Sequence, residues 1–128
     1  MRYYADSCIW IDFLGDRRET TLFEDCLVNS EELLISDILI DELSQYVKLD
    51  NMKVILHLFD SKQLLFRAKS TSLQRIEAKD LAEKRNIPKG DALHAIIARD
   101  YNATLVTRDK HFLKLKDICK VELENFYN

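Results

Sequence analysis

The chain has 128 residues, 47% hydrophobic and 32% charged, with a net charge of −3. That balance predicts one globular domain spanning residues 1–128 and excludes a disordered or low-complexity chain. The negative charge excludes binding nucleic acid by an overall basic surface. Such a partner needs cations that offset clustered acids, or bases gathered on one face.

In chain order, Arg2 to Ala5 reads as a first strand, ending at Asp6. Ile9 to Leu14 is a short helical segment closed by Gly15. The N-terminal apolar stretch is broken by Asp6 and Asp12, so it does not read as a signal peptide. Thr20 to Val28 is a second helix. Leu33 to Ile35 is a buried strand, and Ser36 after it is placed to cap a helix running to about Val47. A helix from Asn51 to Phe59, a strand at Leu64 to Phe66 and a helix from Ser72 to Arg85 follow. Pro88 suits the first position of a helix reaching Tyr101, with Asn102 ending it in a left-handed conformation. Thr104 to Val106 is a fourth strand, and Lys120 to Leu123 a fifth, at an edge.

Short apolar strands alternating with helices predict an α/β fold: three layers, α/β/α, around a mainly parallel sheet of four to five strands. Ligands of such sheets bind outside the carboxyl ends of the strands. No stretch is long and uncharged enough to span a bilayer. Cys8, Cys26 and Cys119 are odd in number and unpaired by spacing, which fits a reducing cytoplasm rather than a disulfide or zinc scaffold.

Of the 22 acids, most are surface charge, and four are out of place. Asp6 and Asp109 follow strand ends, where an Asp by itself is an ordinary turn residue. Glu42 has Ile38 and Leu39 one turn before it and Gln45 and Tyr46 one turn after, so it borders a buried stripe. Alone, it is as well explained by an acid whose stem packs and whose head reaches water. Asp91 leads into ALHAIIA, the most apolar helical stretch; a lone Asp there usually serves the helix dipole. Asp6, Glu42, Asp91 and Asp109 gain force only as a set.

Four blocks, "YYADSCIWIDFL", "ISDILIDEL", "IPKGDALHAIIA" and "TLVTRDKHF", together resemble the PIN domain, and within it the small VapC-type toxins. The resemblance covers essentially the whole chain. It implies a metal-dependent endoribonuclease with Asp6, Glu42, Asp91 and Asp109 as its acids, and Ser7 and Thr107 as supporting hydroxyl residues. Cys8 departs from the Ser, Thr or Asn common in the family; a thiol is a poor donor and weakens any hydrogen bond it makes there.

Clustered carboxylates suit Mg²⁺ or Mn²⁺, which choose oxygen ligands and keep several waters. Asp6, Asp91 and Asp109 are the expected ligands; Glu42 binds metal or orients the attacking water. Such ions also let an acidic site accept a phosphodiester. Removing one charge, at Asp6 or Asp91, is expected to leave the fold as stable or more so. His57, His94 and His111 form no H-E-x-x-H, and His94 reads first as a satisfied core histidine. Arg108, Lys110, Lys114 and Lys116 form a basic patch beside Asp109, read first as a solvated helix end and second as RNA backbone contacts.

The resemblance further implies a cytoplasmic protein, an RNA substrate, a small antitoxin partner and a homodimer. Leu43, Val47, Val54, Leu58 and Phe59 recur at roughly helical spacing and are expected to line a groove for a partner helix, although most of such a set ordinarily packs inward. Tyr3, Trp10, Phe13 and the helix from Asp37 to Val47 are the expected dimer surface. Alternatives remain: an RNA-processing nuclease without an antitoxin, a catalytically silent binding module, and a phospho-acceptor receiver domain.

Overall fold

The computed structural model describes residues 1–15 and 20–124; the predicted second helix begins at Thr20, just past the gap. Five strands form one sheet: β1 (Arg2–Ala5), β2 (Glu32–Ser36), β3 (Leu65–Ala68), β4 (Thr104–Thr107) and β5 (Lys120–Leu123). Their order is β3-β2-β1-β4-β5, and every pairing is parallel. The expectation of a mainly parallel sheet is met and sharpened to an all-parallel one. A receiver-type domain has the order 2-1-3-4-5, so that alternative falls.

Burial follows strand position. Central β4 is buried at all four residues, whereas β5 alternates exposed and half-buried, as an edge strand does. The helices are α1 (Ser7–Leu14), α2 (Leu22–Val28), α3 (Asp37–Ser44), α4 (Leu49–Ser61), α5 (Ser72–Arg85) and α6 (Lys89–Asp100). Connections from β1 to β2 to β3 step one way across the sheet, and the return from β3 to β4 steps the other. With right-handed crossovers, α1 to α4 cover one face and α5 and α6 the other. The packing agrees: α1 meets α3 and α4, and α5 meets α6. In α6 every residue from Ala92 to Ala98 is buried, which explains why that helix is apolar all round.

Local signals account for most boundaries. Ser36 caps α3, accepting from the Leu39 N–H at 3.2 Å. Thr71 and Gln74 form a capping box that starts α5. Asn102 is left-handed, φ 53°, as expected. Two expectations are corrected. The helix after Ser36 stops at Ser44, not Val47, and the next begins at Leu49. Pro88 occupies the N-cap of α6 rather than its first turn. The Lys110–Leu115 segment, unassigned from sequence, is a 3-10 helix.

The core overturns part of the predicted surfaces. Trp10 is fully buried, its ring 4.4 Å from that of Phe23, and Phe13 packs on the same ring at 4.8 Å. Trp10 therefore cannot line a dimer surface. Leu43, on α3, and Phe59, on α4, are also fully buried in the core and leave the predicted groove. Tyr46, Val54 and Leu58 are exposed, and Val47 is half-buried.

Candidate functional site

The sheet order reverses direction between β1 and β4, so the crevice of this fold opens at their carboxyl ends. Ala5 pairs with Val106, which sets Asp6 and Thr107 side by side one residue on. Residues two apart in a strand share a face, so Tyr4 and Asp6 point the same way, under α6.

Asp6 is buried and closely held. Its Oδ1 accepts from the Ser7 N–H at 2.8 Å, so Ser7 contributes through its backbone. Its Oδ2 accepts from the Thr107 hydroxyl at 2.9 Å and, at 3.4 Å, from the Cys8 thiol. Thr107 also accepts from the Asp109 N–H at 3.0 Å, so one hydroxyl ties two acids together. Burial, then the charge of Asp6, pushes the Cys8 thiol up to about 11, so it stays protonated. Asp109 caps the 3-10 helix, accepting from the His111 N–H at 2.9 Å.

On α6, Asp91 lies in the first turn and is half-buried. Its carboxylate accepts no hydrogen bond and makes no ion pair among the described residues. Burial, then the charges of Asp6 and Asp109, with Glu42 adding to them, push its pKa above the usual carboxylate range. The charges of Asp6, Asp109 and Glu42 therefore reach Asp91, which sets these acids near it. Glu42 sits on α3, with its carboxylate 2.8 and 3.0 Å from His94 Nε2. Asp37, which also follows a strand, belongs elsewhere. Burial raises its pKa, but hydrogen bonds from the Ser70 N–H and hydroxyl outweigh that and hold it low.

The residues fit a hard divalent cation. The donors are carboxylate oxygens, and at Asp91 burial and the neighbouring acids outweigh the one opposing contribution, from His94. Among the described residues no three Asp, Glu, His or Cys side chains form a ready-made cage.

Sequence reasoning missed two partners. Arg108 was grouped with the exposed Lys110, Lys114 and Lys116, but it is largely buried and paired with Asp12 of α1. The pair anchors the segment before Asp109 to α1. Tyr4 was read only as a strand residue, yet its hydroxyl lies 2.7 Å from His94 Nδ1. No sequence spacing signals either contact, since each joins residues about ninety or more positions apart.

The PIN domain family model matches residues 3–118. No curated protein matches the chain. Among solved structures, VapBC2 of Rickettsia felis, crystallised bound to a DNA fragment from its promoter, has a chain with TM-score 0.71 and 23% identity, covering 98% of this chain and 100% of its own. A Pyrobaculum aerophilum protein aligns with TM-score 0.58 and 18% identity, covering 94% of this chain and 92% of its own. At these identities the two structures establish the shared fold.

Proposed function

This chain belongs to the PIN domain family, a family of nucleases, and from that premise we propose that it is a metal-dependent endoribonuclease and the toxin of a VapBC-type pair. The observation that carries this reading is Asp91, half-buried beside the crevice between β1 and β4, its pKa raised by burial and then by Asp6 and Asp109. An acid so placed favours a cation-dependent site over a silent binding module.

In this reading Asp6, Asp91 and Asp109 hold Mg²⁺ or Mn²⁺. When bound, the ion supplies positive charge for the phosphodiester and makes water more acidic. Glu42 orients the attacking water and receives its proton. Thr107 fixes Asp6 and the Asp109 backbone so that both acids keep their spacing. Exposed Lys110, Lys114 and Lys116 lie along the path of the RNA backbone.

The partner is a small antitoxin whose apolar helix covers Tyr46, Val47, Val54 and Leu58. A homodimer is expected from the family resemblance alone, and light scattering reads it. A cytoplasmic location accords with the three free cysteines and with the lack, among the described residues, of any helix long and apolar enough to cross a membrane.

The test has two arms. Purified protein is expected to cleave single-stranded or looped RNA with Mg²⁺ or Mn²⁺ and to stop on chelation; cleavage that survives thorough chelation contradicts the reading. Expressed in cells, the wild type is expected to arrest growth, whereas Asp91→Asn and the wild type co-expressed with its upstream neighbour do not. Harmless expression of an active nuclease favours RNA processing without an antitoxin.

A further inference from the structure

The nuclease reading assigns no part to His94, a buried imidazole one turn past Asp91 and only 2% exposed. Both ring nitrogens are engaged. Nδ1 lies 2.7 Å from the Tyr4 hydroxyl, and Nε2 lies 2.8 and 3.0 Å from the two oxygens of Glu42. The Tyr4 hydroxyl in turn meets the Ser36 hydroxyl, which caps α3 by accepting from the Leu39 N–H. The four side chains form one line from the sheet to the crevice.

A single direction of donation satisfies a neutral ring throughout. Ser36 donates to Tyr4, Tyr4 donates to Nδ1, and Nε2–H is left to donate to Glu42. Burial raises the pKa of the Tyr4 phenol, so it keeps the proton it gives. A merely structural histidine is satisfied inside the core. This one instead sends its outer nitrogen to a carboxylate that is 39% exposed. Glu42 Oε2 also lies 3.9 Å from where a side chain on Gly90 would begin, so that carboxylate rests over the first turn of α6, beside Asp91.

We infer that His94 is the positioning residue for Glu42. The buried line Ser36–Tyr4–His94 fixes the rotamer and lone-pair direction of the Glu42 carboxylate, so that one oxygen faces the attacking water. Held only by its own flexible stem, Glu42 would sample solvent-facing rotamers, and misplacement of a reacting group by about 1 Å can cost roughly 10²-fold in rate. The inference rests on the nuclease reading.

The test is steady-state RNA cleavage in Mn²⁺ by the full chain carrying His94→Asn, His94→Gln or Tyr4→Phe. Asn keeps an acceptor near Nδ1 but loses the donor to Glu42. Gln places an amide N–H near Nε2. His94→Asn is expected to lower kcat roughly 10- to 100-fold, with KM for RNA changed by no more than about twofold. His94→Gln is expected to restore most of that loss. Tyr4→Phe, which preserves the ring packing, is expected to lower kcat less than His94→Asn, and it serves as the second variant if His94→Asn folds poorly. Ring ¹⁵N NMR gives a readout besides activity: His94 is expected as the Nε2–H tautomer, with that resonance shifted by Glu42→Gln. A proton on Nδ1 alone, or Asn and Gln variants equal in kcat, would overturn the role. So would a loss of activity in Glu42→Gln with His94→Asn at the wild-type rate, which leaves the nuclease reading intact. If the folded wild type cleaves no RNA in either metal, the nuclease reading itself fails and this role with it.

Discussion

Asp6 and Asp91 lie near enough for the charge of Asp6 to act on Asp91, and they are held in opposite ways. Asp6, at the end of β1, takes hydrogen bonds from Ser7, Cys8 and Thr107, and its own N–H donates to Val106 at 2.9 Å. Asp91, in the first turn of α6, has no such partners among the described residues, and its acidic neighbours repel it. The first acid is part of the fold. The second sits half-buried near other acids, and burial and their charges raise its pKa. Sites that bind charge gain their affinity from groups like Asp91 and their geometry from groups like Asp6.

The largest expected effect does not separate them. Asp6→Asn and Asp91→Asn should each lower RNA cleavage by roughly 10²- to 10³-fold, the size found when one charge-stabilising contact to a reacting group is lost. Retention of wild-type kcat by either variant would remove that residue from the site.

Stability should separate them sharply. In Asp6→Asn the new amide faces Thr107, whose hydroxyl already accepts from the Asp109 N–H and loses its own acceptor. A loss of about 1–2 kcal/mol and a lower Tm are expected. That replaces the equal-or-higher melting the sequence suggests for both residues. Asp91→Asn should raise Tm at neutral pH in metal-free buffer. Equal shifts in the two variants would erase the distinction.

The pH dependence sharpens it. A carboxyl whose folded pKa is raised binds its proton more tightly when folded. Its contribution to stability is present below the unfolded pKa and is lost as pH rises through the folded one. The Tm advantage of Asp91→Asn over wild type should therefore be absent in acid, grow through the carboxylate range and level off above it. Melting curves at stepped pH with chelator read this directly; an advantage that grows toward acid has the wrong sign.

The smallest effect concerns Gly90. It needs no positive φ, and a methyl there meets Glu42 at an ordinary contact distance of 3.9 Å. Gly90→Ala should stabilise α6 by about 0.5–1 kcal/mol, with kcat within about twofold of wild type. A large loss of kcat would mean that Glu42 needs the open space beside Gly90.

The same contrast marks what the sequence could reveal. Asp6 and Asp109 stand out because a change from apolar strand to acid is a local signal, and Glu42 because helical neighbours three and four apart set it beside an apolar stripe. The strand alternation with helices likewise foretold a parallel sheet. Trp10 and Leu43 were misjudged because apolar spacing says that a residue is buried on something without saying whether that is the core or a partner. Arg108 looked like one more base in a run, and only tertiary structure sets it against Asp12. The Tyr4–His94–Glu42 line joins β1, α6 and α3, three elements far apart in the chain, so no local pattern carried it.

The central claim of the proposed function is that a divalent cation neutralises the charge of Asp91, which burial and nearby acids disfavour. Calorimetric titration of Mn²⁺ into metal-free wild type and Asp91→Asn, at neutral pH, tests it most directly. The expected result is saturable binding to the wild type, weakened at least tenfold in the variant, about 1.4 kcal/mol or more. Equal affinity in the two proteins, or no binding to the wild type, would contradict it.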